Sequence, residues 1–236
     1  MSAAPTFRFV VPAAGAGRRM AADTPKQYLQ IGDRTVIEHT LDGLLSCTRC
    51  HSVTVAVAAD DTRWPDIGQR YADRRVDVVH GGDERSQSVL NALDSLAPST
   101  QDMDWVLVHD AARPCLRTKD LDALIDALVD DAVGGLLGVP VADTMKQVDT
   151  NGRVTQTVSR EDLWHALTPQ MFRFGLLRSA LSEALSAGQT VTDEASAMEL
   201  AGHHPRVVQG HRDNIKITLP ADLSLAAFYL QTGASS

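Results

Sequence analysis

Positive charge is in short supply in this chain: 22 Lys and Arg stand against 30 Asp and Glu, for a formal net charge of -8. That sign is wrong for a generic nucleic-acid or membrane-surface binder, so any anionic ligand must meet a local basic cluster. Long apolar runs are missing as well. No stretch approaches the ~20 apolar residues of a membrane helix. The run Phe9, Val10 and Val11, with Arg8 as the one charge in residues 1–17, is too short for a signal-peptide core. These absences point to a cytoplasmic protein with neither a membrane nor a nucleic acid as partner. Only Cys47, Cys50 and Cys115 are present, too few for a complete disulfide framework and suited to a reducing compartment. Cys47-Thr48-Arg49-Cys50-His51 does match the haem-attachment pattern C-x-x-C-H. It falls between an amphipathic helix and an apolar strand, however, and haem attachment is usually extracytoplasmic, so ordinary loop thiols and no haem are expected. A zinc site would need a partner C-x-x-C, and none exists. Internal repeats, low-complexity segments and linkers are also lacking, and residues 1–236 read as one domain.

What is present is alternation. Short β-branched runs at 7–11, 53–57, 76–79, 105–108 and 136–141 alternate with helical spacing at 36–45, 64–71, 86–96 and 121–129. This order predicts an α/β fold, a mostly parallel sheet with helices on both faces and its ligand beyond the carboxyl ends of the strands. The alternation breaks at 144–158, where two strand-like runs flank Asp149-Thr150-Asn151-Gly152 and read as a protruding β-hairpin. A lone hairpin is marginal in water, so this arm, spanning 141–160, is expected to pack on a second copy of the chain and make a homodimer. Further on, 174–187, 194–200 and 221–230 read as helices, 206–208 and 215–218 as short strands, and 232–236 as a disordered tail.

The loops between these elements hold the reactive side chains. The first strand runs into Pro12-Ala13-Ala14-Gly15-Ala16-Gly17-Arg18-Arg19-Met20, with Pro25-Lys26-Gln27 close behind. Small residues let backbone N–H groups approach a phosphate, and the basic side chains supply countercharge. Met20 stands where a dinucleotide fingerprint needs its third glycine, and no G-K-S/T closes a P-loop. Gly81-Gly82-Asp83-Glu84-Arg85-Ser86-Gln87-Ser88 opens a helix, where Ser88 and backbone amides suit a base or ribose, or simply a helix cap. His109-Asp110-Ala111-Ala112-Arg113-Pro114 sets a carboxylate and a guanidinium at a strand end, as a Mg²⁺ ligand beside a phosphate clamp or as a local ion pair. Asp213-Asn214-Ile215-Lys216 adds a second acid and a second lysine.

Together these segments form a longer set, in order from residue 9 to residue 229: P-A-A-G-x-G-x-R-M, P-K-Q-Y, G-G-x-x-R-x-x-S-V, H-D-A-A-R-P, D-T-M-K, L-W-x-A-L-T-P-Q, T-D-E-A-S and D-N-I-K. The set resembles the 2-C-methyl-D-erythritol 4-phosphate cytidylyltransferases of the non-mevalonate isoprenoid pathway. The resemblance implies a Rossmann-like sheet of the nucleotide-diphospho-sugar transferase type. It implies transfer of CMP from CTP to 2-C-methyl-D-erythritol 4-phosphate, giving 4-diphosphocytidyl-2-C-methyl-D-erythritol and pyrophosphate, with Mg²⁺ and no organic cofactor. Carried onto this sequence, it makes Arg19 and Lys26 stabilisers of a pentacoordinate transition state and Pro12, Ala13, Ala14, Gly15, Ala16 and Gly17 the CTP loop. Gly82, Asp83 and Ser88 would recognise cytosine, and Asp110, with Asp213, would hold the metal. Asp110, Arg113, Thr144, Arg160, Thr168, Thr192 and Lys216 would hold the acceptor, with Arg160 and Lys216 among the catalytic groups. Thr144 and Arg160 would reach in from the partner's arm. A cytidylyltransferase for ribitol 5-phosphate or a similar polyol phosphate would carry the same clamp and is the alternative. A dinucleotide-binding oxidoreductase and a non-catalytic nucleotide-binding module are disfavoured, the first by the missing glycine, the second by the presence of both clamp and metal acid. Some bifunctional relatives carry a second catalytic domain at the C-terminus, and a chain ending at Ser236 is expected to lack it.

Overall fold

A computed structural model describes residues 5–15 and 24–233. The first part of the chain contains β1 (Phe7–Pro12), a small ribbon of β2 (Gln30–Ile31) and β3 (Arg34–Thr35), α1 (Val36–Leu45), β4 (Cys50–Val57), α2 (Trp64–Gly68), β5 (Val76–His80) and α3 (Arg85–Leu96). Then follow β6 (Trp105–Val108), α4 (Thr118–Leu128), β7 (Gly134–Pro140), the hairpin of β8 (Met145–Val148) and β9 (Val154–Val158), and β10 (Trp164–Arg173). The chain closes with α5 (Phe174–Ser186), α6 (Glu194–Leu200), β11 (Arg206–Gln209) and α7 (Pro220–Gly233).

Seven strands make one sheet in the order β11-β7-β10-β6-β1-β4-β5. All its pairings are parallel except the two made by β10. The parallel strands read as continuous apolar runs because both faces are covered. Along β1, Phe9 and Val11 pack with Leu107 and residues of α1 and α4 on one face, while Val10 packs with Val106, Val108 and residues of α3 and α5 on the other. Helix α1 starts where it does because Thr35 and Glu38 form a reciprocal capping box. Among the described residues no helix is long and apolar enough to cross a membrane.

Four expectations change. Strand β10, between β7 and β6 in the sheet, has no counterpart in the periodicity. Its Pro169 lies in the register irregularity between Ala166 and Gln170, where a missing ladder donor is tolerated. Residues 215–218 make no strand; Ile217 is buried and its N–H donates to Ala112 O at 2.9 Å. Helix α7 continues to Gly233, through Thr232, which the sequence put in the tail; the rest of that tail lies outside the described residues. Cys47 lies in a loop as expected, but Cys50 opens β4; both are buried free thiols, and burial pushes Cys50 up to about 11.

Candidate functional site

The loops beyond β1, β5 and β6 enclose a cavity of about 310 Å³, at the strand ends where a parallel sheet binds its ligands. Its walls include Pro12, Ala13, Ala14 and Gly15 on one side, Gly82, Asp83 and Ser88 on another, and Lys26, Asp110 and Lys216 between them. Ala16, Gly17 and Arg19 lie outside the described residues. A short 3-10 turn, Lys26–Tyr28, follows, and its Gln27 side chain donates to Ala13 O at 2.7 Å and Gly15 O at 3.2 Å. That brace leaves the loop's N–H groups free of Gln27. Across the cavity, a Cβ on Gly81 would stand 2.5 Å from Ala14 Cβ and 2.7 Å from Ser88 Oγ, so only glycine lets the two loops meet. Ser88, buried, receives Gly82 N–H at 3.0 Å and donates to Glu84 O at 3.0 Å, holding the Gly82-Asp83 backbone at the rim.

Asp110 is the electrostatic centre. Its Oδ1 accepts from Arg85 Nε at 3.0 Å, and its Oδ2 from Lys216 Nζ at 2.9 Å and Arg113 Nε at 3.2 Å. Burial works against its charge, but Arg85, Lys216 and Arg113 outweigh it and hold the carboxyl well below the usual carboxylate range. Arg85 is held in turn by Glu194, a fully buried residue in the first turn of α6. Burial disfavours the Arg85 charge; Glu194 and Asp110 restore it and raise its pKa.

Beneath Asp110, His109 is fully buried, and burial pulls its pKa down to about 4, so it is neutral near pH 7. Its Nε2 lies 3.0 Å from Arg113 O, which can only accept, so Nε2 carries the proton. His109 Nδ1 therefore accepts from Thr168 Oγ1 at 2.9 Å, and the same hydroxyl accepts the Asp110 N–H at 3.2 Å. Thr168 thus sits behind Asp110, buried, and is not among the residues lining the cavity.

The remaining expected residues separate into two groups. A second cavity of about 440 Å³ shares Lys216 and Thr218 with the first and is lined by Arg113, His165 and Arg212. Thr144 and Arg160 are exposed on the arm and line neither cavity; the Arg160 guanidinium donates to Ala142 O. Thr192 is exposed beside the start of α6, bonded to Ser196 Oγ at 3.3 Å. Asp213 lines neither cavity and accepts from Arg117 Nε at 2.6 Å.

Among the described residues no group of three or more His, Cys, Asp or Glu could hold a metal ion. Mg²⁺ commonly takes one or two carboxylates and completes its shell with substrate phosphates and water, so an ionised Asp110 facing the cavity fits a nucleotide-borne Mg²⁺. Asp213 pairs with Arg117 through Oδ2 alone, outside both cavities. Gln27, Arg85, His109 and Glu194 were not singled out from the sequence. Arg85 and Glu194 lie inside the G-G-x-x-R and T-D-E-A-S segments, yet nothing local pairs two residues 109 positions apart.

The family model described as IspD: 2-C-methyl-D-erythritol 4-phosphate cytidylyltransferase matches residues 7–232. The protein named 2-C-methyl-D-erythritol 4-phosphate cytidylyltransferase from Pseudomonas putida (strain W619) is 56% identical over 221 residues, 93% of each chain. The protein of that name from Pseudomonas fluorescens (strain Pf-5) is 54% identical over 220 residues, again 93% of each. Among solved structures, a 4-diphosphocytidyl-2C-methyl-D-erythritol synthase superposes with a TM-score of 0.85 at 35% identity, covering 97% of this chain and 100% of that one. The 2-C-methyl-D-erythritol 4-phosphate cytidylyltransferase of Francisella tularensis gives 0.81 at 34% identity, covering 95% and 99%.

Proposed function

The chain belongs to the 2-C-methyl-D-erythritol 4-phosphate cytidylyltransferase family, and from that premise we propose how its residues divide the reaction. The enzyme transfers CMP from CTP to 2-C-methyl-D-erythritol 4-phosphate, releasing pyrophosphate. The observation that carries the division of labour is the convergence of Arg85, Arg113 and Lys216 on Asp110 at the mouth of a glycine-rich cavity. The acceptor's phosphate oxygen is already anionic and attacks the α-phosphorus of CTP in line as pyrophosphate leaves. No protein nucleophile or base is needed, and catalysis is positioning plus charge stabilisation.

Ala14, Gly15 and the following Ala16 and Gly17 hold the triphosphate through backbone N–H groups, while Pro12 and Ala13 form the wall that leads into them. Gly82, Asp83 and Ser88 close on the cytosine. Lys26, on the cavity wall, and Arg19 stabilise the charge that spreads over the oxygens at phosphorus in the transition state. Asp110 holds Mg²⁺, which when bound neutralises phosphate charge. Arg113 and Lys216 bind the acceptor phosphate where the two cavities join. Thr168 supports this clamp through the Asp110 backbone, Thr192 through the start of α6, and Asp213 by tying its loop to Arg117.

The arm completes the site in a homodimer. Thr144 and Arg160 are exposed and line neither cavity of their own chain, and the arm carries exposed Val148 and Val154, as a surface awaiting a second copy would. One catalytic domain with this arm, working in the cytoplasm, accounts for the whole chain. The test is pyrophosphate release with CTP and Mg²⁺, comparing 2-C-methyl-D-erythritol 4-phosphate with ribitol 5-phosphate and replacing CTP by UTP or ATP. Turnover confined to CTP with the methylerythritol substrate is expected; preference for ribitol 5-phosphate would move the substrate while leaving the chemistry.

A further inference from the structure

Glu194 has no part in the division just given and Arg85 no role in it beyond its contact with Asp110, yet the two form an ion pair, Glu194 buried and Arg85 partly so, beside Asp110 on the cavity wall. Both Glu194 carboxylate oxygens are taken by Arg85, Oε1 by Nη1 at 2.6 Å and Oε2 by Nη2 at 3.0 Å. The one Arg85 nitrogen left, Nε, makes the single hydrogen bond to Asp110 Oδ1 at 3.0 Å. A guanidinium prefers to offer a carboxylate two nitrogens along one edge. Here Glu194 takes the Nη1–Nη2 edge and fixes the orientation of the guanidinium, and in that orientation Asp110 receives a single N–H. Lys216 and Arg113 occupy the other oxygen, so Oδ1 is the atom whose engagement Glu194 controls.

We propose that Glu194 is a positioning residue for nucleotidyl transfer: by holding Arg85 with both oxygens, it limits Arg85 to one contact with Asp110, so that Asp110 Oδ1 can exchange that contact for the metal of Mg²⁺·CTP. Glu194 also keeps Arg85 compensated after the exchange, when a partly buried guanidinium without a partner would be costly. Without the Glu194 charge, Arg85 turns a two-nitrogen edge onto Asp110 and withholds it. This inference rests on Asp110 as the Mg²⁺ ligand.

The test uses the full-length protein and calorimetric titration with Mn²⁺·CTP and with metal-free CTP, the readout being the ratio of the two affinities. Glu194→Gln is expected to lower that ratio by about fivefold or more, and to raise the Mg²⁺ concentration for half-maximal turnover by the same factor. Asp110→Asn is expected to lower the ratio too, and adding Glu194→Gln to Asp110→Asn to change it no further. Arg85→Lys in the Glu194→Gln background is expected to restore the ratio, because an ammonium has no two-nitrogen edge. Should Glu194→Gln not fold, Glu194→Asp, too short to hold both nitrogens, carries the same expectation. If Asp110→Asn lowers the ratio while the Glu194 variants leave it within about twofold of wild type, the pair merely ties α6 to α3 and the proposal is overturned. If Asp110→Asn leaves the ratio unchanged, Asp110 is not the metal ligand and the inference falls with that reading.

Discussion

Lys26 and His109 show how differently single residues at one site can be read and tested. Lys26 lines the cavity; burial works against the Asp222 charge, but the Thr218 and Leu219 N–H groups and the Thr218 hydroxyl, with Lys26 adding to them, hold that carboxyl low. Its contact with the transferring phosphoryl group strengthens as charge develops, so Lys26→Ala is expected to slow the chemical step by about 10²–10³-fold. Pre-steady-state kinetics should show CTP binding much less affected. A raised CTP dissociation constant with an unchanged chemical step would contradict the role. His109 titrates at about 4 in the fold, below the ~6.5 of an unfolded histidine. Between those values the unfolded chain binds a proton that the native one does not, so its contribution to stability is complete above the window and is lost as pH falls through it. That loss is about 3 kcal/mol. Denaturant unfolding between pH 7 and 4 should show the wild type losing more stability than His109→Gln; equal losses would mean that His109 is not held neutral. Lys26 was legible because a lysine beside a small-residue loop has a stated chemistry. His109 was not, because its role comes from Thr168, brought alongside by β10.

The elements were legible wherever one physical rule dominates. Buried parallel strands read as apolar runs, and the hairpin β8–β9 was marked by its turn residues; both emerge within three residues of expectation. Strand β10 was hidden because its three exposed first residues, its Pro169 and its buried Gln170 break any period of two. Gln170 has a reason to be there. Its side chain accepts from Ala195 N at 2.8 Å and donates to Asp193 at 2.9 Å, fixing the start of α6 and so the placement of Glu194. The arm makes its own prediction at this scale. Val154→Asp, which charges an exposed face of the hairpin, should shift the mass by light scattering from dimer to monomer and lower turnover with it. A dimer unaffected by this change would move the interface elsewhere. Arg160→Ala subunits should regain activity when mixed with Lys26→Ala subunits if each site borrows Arg160 from its partner. No recovery, with subunit exchange confirmed, would exclude sharing.

At the scale of the whole molecule, a chain of net charge -8 handles two polyanions because its cations are gathered, not because they are many. Lys26, Arg85 and Lys216 line one cavity, and Arg113 and Lys216 line the adjoining one. The loops after β1, β5, β6 and β11 bring these side chains together from positions scattered across the chain. Composition could exclude partners but could not locate this cluster; the fold class placed it at the strand ends, and the long-range pairs closed it. The central claim is a single direct transfer between two bound phosphates with no enzyme-bound intermediate. It is tested by turning over CTP made chiral at the α-phosphorus with sulfur and determining the configuration of the product. One in-line displacement is expected to give inversion; retention would require a covalent nucleotidyl-enzyme and would contradict the mechanism.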